Sequence, residues 1–596
     1  MKQGLLGQET EYAIAFRPER ESKRPTNLQV FLALRKAIGS LVATKPGHKS
    51  LHYEFFVENG GSFCYEFLPH RINDGLIEGR TPECHSALEL VHYQRAQELL
   101  LQKAIPQATK NLHKDGFFGH ISLIKNCKDI EGNTYGAQEN YDASVNHRYH
   151  RYIQVAIAAT IPLLVCGTFL YGLILLLMLT VYAVSLLVFF LIHSTLALSV
   201  FAAERLLRLR LPFSKPFYAL VQRLEKLFTK FCDTILQRIL VNDWLSKAEY
   251  YSCTANFAVY SFPFIQLVSK YFFAAQKTDL LAFFASRIVF SGAGTLDEDG
   301  QYYLAEKASV LQRVSRDSAA PSTRAIFDSG NLVKDYTEAG THLFMGKLDK
   351  IKQLFRPRQR LQLGMSDSNR CQVAEYLKIG VTSLLVDMSE IGFLVDPPQL
   401  ATPIAAVHQI NSDPGLRASV LLQDGTSRTA IEIQEYYIKE AERFLATSQT
   451  VAVSHFQTLH VWKSVITMLR NDPAKMIGRL DWVSKRYLIE AAAGNRDYFT
   501  KKKIDIGYHE LGGEVFDALE KANITRRFVG ENEIEHAITT PTSCERVQWR
   551  SSLIKDLNYH GQHIKISWES ARVGGWWDTK VLRFTPKTIA VPSKET

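Results

Sequence analysis

The sequence predicts an α+β fold, a sheet backed by helices, into which a helical membrane hairpin is inserted. Three observations carry that expectation. LLGQETEYAIAF and FFVENGGSFCYEF alternate with the period of strands, EGRTPECHSALELVHYQRAQELLL reads as a long amphipathic helix, and Val155 to Phe190 passes without one charged residue.

The first strand places Glu9 and Glu11 on one face, about 7 Å apart. Two such carboxylates repel unless cations neutralise them, and hard divalent cations are the usual answer; solvated surface is the alternative. The second stretch is a strand, a turn at Asn59-Gly60-Gly61 and a second strand carrying Glu66. Thr81-Pro82-Glu83 then opens the helix, where Glu83 also suits the helix dipole. A third piece, KNCKDIEGNTYGAQENYDAS, has a Gly-Asn turn followed by a short strand with Gln138, Glu139 and Asn140.

The uncharged run extends from Arg151 to Glu204, and as one helix it would measure roughly 75 Å against a hydrocarbon core of ~30 Å. Two spans fit, about 153–174 and 177–201, with Gly167, Thr168 and Gly172 interrupting the apolar pattern. Arg148 and Arg151 precede the run and Arg205, Arg208 and Arg210 follow it. Basic flanks on both sides place both ends in the cytosol, which a hairpin allows. FYALVQRLEKLFTKFCDTILQRIL then reads as a basic amphipathic helix, lying on the cytosolic leaflet or packed on the neighbouring domain. The expected location is the inner (cytoplasmic) membrane with a cytosolic catalytic domain.

Composition is that of a globular protein of 596 residues. The net charge of +10 is mild over this length and fits an anionic lipid surface as well as nucleic acid. No nucleic-acid motif accompanies it, so no such partner is expected. The eight cysteines are scattered without a Cys-x-x-Cys pair, which fits a reducing compartment. MKQGLLGQETEY lacks the apolar centre of a secretory signal, so no export of this segment is expected.

The order of these pieces resembles the family of Pup ligase and its sister, the Pup deamidase and depupylase, of the proteasome accessory factor A type. Gly7-Gln8-Glu9-Thr10-Glu11-Tyr12 is similar to the family's Gly-x-Glu-x-Glu-Tyr/Phe, and Thr81-Pro82-Glu83-Cys84 is intact. Asn59-Gly60-Gly61-Ser62 resembles its Asn-Gly-Ala-Arg hairpin. Gly132 to Tyr141 resembles its Gly-x-Ser-Tyr-Gly-x-His-Glu-Asn-Tyr. Beyond the hairpin, SRIVFSGAG, GMSDSNRCQ, the Asp-Trp-Val-x-Lys of LDWVSKRYLI, and AITTPTSCERVQWR continue the likeness.

The resemblance implies a glutamine synthetase-like antiparallel sheet backed by helices, with a smaller C-terminal domain. The domains follow as 1–141, an insertion at 142–278, 279–470, and 471–596. It further implies ATP and Mg²⁺ as cofactors. Phosphoryl transfer to a glutamate side chain of a small ubiquitin-like, Pup-like modifier gives an acyl phosphate, which a lysine amine of a target protein attacks. Glu9, Glu11, Glu83 and Glu139 are the metal-ligand candidates, and Glu66 is the candidate base. Arg546 and Arg550, four apart, are the phosphate clamp, with Trp482 beside the nucleotide.

Departures bear on this reading. Glu66 stands where the family has aspartate, and Gln138 where it has histidine. An Asn-Thr-Arg-Asp-Glu segment has no counterpart near Ile326 to Lys334, so Arg313 or Arg324 is expected to supply its arginine. The short span from Tyr12 to Asn59 favours the ligase branch. The alternatives are a deamidase or depupylase-like hydrolase, a ligase for a small γ-carboxylate, and a catalytically weak membrane scaffold.

Overall fold

The computed structural model describes residues 4–19, 22–48, 53–68, 71–128, 134–145, 272–315, 324–328, 356–448, 452–493, 497–556, 564–574 and 580–584, with scattered positions between 152 and 223. The chain divides into two compact units. One comprises 1–148, 269–329 and 357–596; the other comprises 149–268 and 330–356.

In the first unit the strands are β1 (Leu6–Pro18), β2 (Thr44–Pro46), β3 (Phe55–Val57), β4 (Ser62–Leu68), β5 (Arg71–Arg80), β6 (Gly119–Ile124) and β7 (Ala137–Ser144). After a small hairpin of β8 (Thr295–Leu296) and β9 (Tyr302–Tyr303) come β10 (Leu311–Ser315), β11 (Arg324–Phe327) and β12 (Arg358–Leu363). Ten of these form one sheet in the order β10-β11-β12-β7-β1-β5-β4-β3-β2, with β6 also paired to β1. The expected antiparallel sheet is found with one difference: β10 and β11 run parallel, so the sheet is mixed. That pair lies at the end of the sheet, where its direction depends on distant partners and no local pattern specifies it.

Helices back one face. α1 (Asn27–Leu41) is fixed at its start by a reciprocal Thr26/Gln29 capping box. α2 (Ala87–Lys114) is capped by Ser86, whose hydroxyl accepts from the Glu89 N–H at 3.1 Å. It therefore begins later than the Thr81-Pro82-Glu83 start expected from sequence. Residues 81–84 instead keep following β1: the Thr81 N–H donates to the Gln8 carbonyl, and Leu6 and Cys84 exchange backbone bonds at 2.8 and 2.9 Å. The helix Gln372–Glu390, almost wholly buried, packs against α2 and β7.

β1 shows why the sheet has two unlike faces. Leu6, Gln8, Thr10 and Tyr12 are buried towards the helices, while Gly7, Glu9 and Glu11 are partly open on the other side. The buried polar groups are paired. Gln8 donates to Glu375 at 3.0 Å, Thr10 to Gln94 at 3.2 Å, and both Gln94 and Gln97 donate to the Tyr12 hydroxyl. Below them Arg95 bridges Glu375 and Glu98 at 2.5 and 2.7 Å, and Lys125 donates to Glu98 at 2.6 Å. Burial draws the Lys125 ammonium down to about 8, with Glu98 opposing the shift.

A second buried pair ties the returning segment to β7. Arg287 donates twice to Glu139, at 2.8 and 2.9 Å, and also to Thr382 and Ser366, and Tyr141 donates to the same carboxylate at 2.5 Å. Burial works to raise the Glu139 carboxyl, yet the Arg287 guanidinium holds it below its ordinary value of 4.5.

The expected transmembrane hairpin and the basic amphipathic helix after it fall almost wholly outside the described residues. Among the described residues no helix is long and apolar enough to cross a membrane, so the hairpin finds no support there. The scattered positions that are described include Leu170, Leu177, Leu187, Phe190 and Leu198, each helical and at least half exposed.

Arg287→Met leaves Glu139 buried without its cation and is expected to cost about 3–5 kcal/mol at neutral pH, read by denaturant unfolding. The Glu139 pKa is lower folded than unfolded, so the pair contributes fully above about pH 5 and is lost as pH falls through the depressed value. The gap between wild type and variant should therefore close in acid; equal stability at neutral pH would show that the pair contributes nothing.

Candidate active site

Register assembles the open face of the sheet row by row, because directly paired residues of antiparallel strands point the same way. Gln138, Glu9, Arg80 and Ser62 form one row across β7, β1, β5 and β4. Glu11, Glu78 and Cys64 form the next. Glu66 follows Cys64 two residues further along β4, on the same face.

This face is acidic and crowded. The Cys64 thiol donates to Glu78 at 3.4 Å, and ligand atoms of Cys64, Glu66 and Glu78 all lie within 4.8 Å of one another. Burial, then the charges of Glu78 and Glu66, push the Glu11 carboxyl from 4.5 up to about 7, against Lys307 and the Gly136 N–H that donates to it at 2.6 Å. Arginines from neighbouring strands close the rim. Arg80 donates to Glu78 at 2.8 and 3.0 Å and to Glu54 at 2.8 Å. Arg360, from β12, donates to Glu9 at 2.6 Å and to Asn140 at 2.5 Å while its side chain stays 43% exposed.

Of the residues singled out from sequence, Glu9, Glu11 and Glu66 share this face. Glu83 lies in the loop after β5 and binds the arginines of the Glu545–Lys555 helix: Arg550 through a close bidentate contact, and Arg546 at 3.9 Å. The Arg550 guanidinium is fully buried, also donates at 2.9 Å to the Gly60 and Trp568 carbonyls, and stacks on the Trp568 ring. It is thereby committed to holding the Asn59-Gly60 turn, whereas Arg546 stays about one-third exposed.

Four candidates are placed elsewhere. Glu139 alternates with Gln138 and so points to the buried face, where Arg287 occupies it. Trp482 is 1% exposed and donates its indole N–H to the Val289 carbonyl at 2.8 Å, a packing role. Arg313 sits on β10, separated from β1 by β11, β12 and β7; Arg324 donates to Thr134 through its side chain and carbonyl. Glu78, Arg80 and Arg360 were missed by sequence reasoning. The signal for the first two was a Glu-x-Arg at strand spacing just before Thr81-Pro82.

The donor set fits hard divalent cations. Burial and two neighbouring carboxylates oppose the charge of Glu11, which a cation would favour, and Mg²⁺ at nucleotide sites is held by a few carboxylates plus phosphate oxygens. Ser62, 1% exposed on the same face, adds a hydroxyl with no hydrogen-bond partner among the described residues.

Comparison with known proteins gives concordant matches. A family model described as Pup-ligase protein matches residues 4–572. A Pup–protein ligase of Corynebacterium diphtheriae is 28% identical over 309 residues, 49% of this chain and 60% of that protein. One of Acidimicrobium ferrooxidans is 22% identical over 521 residues, covering 86% and 82%. A Pup deamidase/depupylase of Mycolicibacterium smegmatis is 27% identical over 311 residues, 50% and 58%. The chain thus spans about three fifths of the length of the first of these relatives. Among solved structures, the complex of the prokaryotic ubiquitin-like protein Pup with its ligase PafA aligns at a TM-score of 0.62 and 17% identity, over 98% of this chain and 89% of that one. The ADP complex of the Pup ligase PafA aligns at 0.57 and 17% identity, over 95% and 92%. These likenesses show the α+β fold.

In protein freed of divalent ions, the raised Glu11 pKa has a stability signature. Between about pH 4.5 and pH 7 the folded state holds a proton that the unfolded state has lost, so stability falls as pH rises through this window. The penalty is on the order of 3 kcal/mol, and Glu11→Gln removes it. Thermal melts at a series of pH values check this; a wild-type curve parallel to that of Glu11→Gln would contradict it.

Proposed function

The chain belongs to the Pup-ligase protein family, and from that premise we propose that it is an ATP-dependent carboxylate–amine ligase that joins a glutamate side chain of a Pup-like modifier to lysines of target proteins. The observation that carries the reading is the shared placement of Glu9, Glu11, Glu78 and Glu66 on the open face of the sheet.

The chemistry asks three things of the protein. Transfer of the γ-phosphoryl group to a carboxylate oxygen gives an acyl phosphate and ADP. The lysine amine then attacks the acyl carbon, the bond to phosphate breaks, and the amine's surplus proton must leave. Glu9, Glu11 and Glu78 would hold Mg²⁺, which would supply charge neutralisation at the phosphate oxygens. Arg360 at the rim and Arg546 beside Glu83, both partly exposed, exchange their carboxylate partners for phosphate oxygens. Glu83 and Arg550 fix the Asn59-Gly60 turn and so the strand that carries Glu66. Glu66, exposed at the edge of the row, accepts the proton.

We further propose that the inserted segment tethers the enzyme to a membrane, with the catalytic unit cytosolic. Its support is the uncharged run with basic flanks. Thr180 and Thr195 return their hydroxyls to carbonyls one turn back, at 2.8 and 2.7 Å, which satisfies them without water.

The test uses detergent-purified protein with ATP, Mg²⁺, a glutamate-ended Pup-like modifier and a lysine-bearing protein. We expect a conjugate that Glu9→Ala abolishes, and that Glu66→Gln slows by about 10²–10⁴-fold with ATP binding retained. Loss of ATP binding in Glu66→Gln would remove the base assignment. Cleavage of a preformed conjugate without synthesis would place the chain with the hydrolases. For the tether, the full chain should stay with the membrane pellet after alkaline carbonate washing; release into the supernatant would contradict it.

A further inference from the structure

A thiol in the acidic row is a departure from hard-ion chemistry. Mg²⁺ and its like prefer oxygen, whereas thiolate selects borderline and soft ions. Cys64 is buried, stands directly across from Glu78 in the register, and has Glu66 two residues on along the same face. Its sulfur lies 3.4 Å from Glu78 Oε2. An ion at about 2.3 Å from sulfur and 2.1 Å from oxygen, in tetrahedral geometry, sets those atoms about 3.6 Å apart. The pair is thus spaced for a shared ion, which would take Glu78 Oε2 from Arg80, its donor at 3.0 Å, and the third ligand atom, from Glu66, lies within 4.8 Å of both. Independently, Ser62 brings a buried hydroxyl with no partner among the described residues to the same face. A water on such an ion would satisfy it.

Resting on the reading of this face as the nucleotide-metal site, we propose that Cys64, Glu66 and Glu78 bind a thiophilic divalent ion of the Zn²⁺ or Co²⁺ class, and that its binding withdraws Glu66 from proton transfer. The thiol proton is released to solvent as the sulfur–metal bond forms. Conjugation is then sensitive to zinc in a way that an all-oxygen site is not.

Titration of the full-length, detergent-purified protein with Co²⁺ in the absence of ATP tests this directly. The expected result is a near-ultraviolet thiolate-to-cobalt charge-transfer band, displaced by Zn²⁺ and absent in Cys64→Ser. Glu66→Gln keeps the thiol, so it should retain the band at saturation while weakening Co²⁺ by roughly tenfold or more. It decides the matter should Cys64→Ser lose its fold, as judged by circular dichroism. In the Mg²⁺-supported conjugation assay, Zn²⁺ should inhibit wild type at concentrations roughly tenfold below those needed for Cys64→Ser. Absence of the band, its persistence in Cys64→Ser, or an unchanged Co²⁺ affinity in Glu66→Gln would each overturn the proposal. A protein that conjugates without showing the band sinks the thiolate site and leaves the ligase standing; one that shows the band and never conjugates does the reverse.

Discussion

The alternation of β1 is the constraint on which the rest depends. Gln8, Thr10 and Tyr12 are anchored from below by Glu375, Gln94 and Gln97, and those in turn belong to the Arg95–Glu98–Lys125 ion network. A one-residue slip would drive Glu9 and Glu11 into that network and expose Tyr12. The buried polar layer therefore does more than satisfy its own hydrogen bonds: it fixes which side of the strand faces the chemistry. Polar cores of this kind are costly when half satisfied, and here nearly every member of the β1 anchor has a partner.

The open face is unfavourable by itself. Glu11 is pushed to about 7 because burial and two neighbouring carboxylates oppose its charge, and Lys307 and the Gly136 N–H only partly offset them. Such local conflict is tolerated where the surrounding structure over-determines it. Here the restraint comes from the sheet register, from the Glu139–Arg287 pair below, and from Arg550, which locks the turn between β3 and β4. Under the proposed function, cations and phosphates would relieve the strain of these carboxylates, coupling ligand binding to the electrostatics of the fold.

How much of this was legible in the sequence depended on whether the signal was local. The strand period of Gly7 to Tyr12 gave the shared face of Glu9 and Glu11, and the Asn59-Gly60 turn gave the position of Glu66. Glu139 was misplaced because Gln138, Glu139 and Asn140 alternate, and only pairing with β1, Glu9 opposite Gln138, decides which of them points inward. Arg550 was seen as the partner of Arg546, but its burial against Trp568 depends on a bend 18 residues away. Arg360 reaches Glu9 across 351 residues of sequence, with the insertion lying between, so no local pattern could have found it. The inserted segment is the opposite case: hydropathy speaks plainly, and the described structure adds only a handful of exposed apolar side chains.

The central claim is that the row of Glu9, Glu11 and Glu78 is where metal and nucleotide meet. Anomalous diffraction from crystals grown with Mn²⁺ and a non-hydrolysable ATP analogue measures this most directly. We expect anomalous density among those three carboxylates, with the nucleotide's phosphates between them and Arg360. Density confined to the Glu139–Arg287 side of the sheet, or phosphates bound away from the open face, would contradict it.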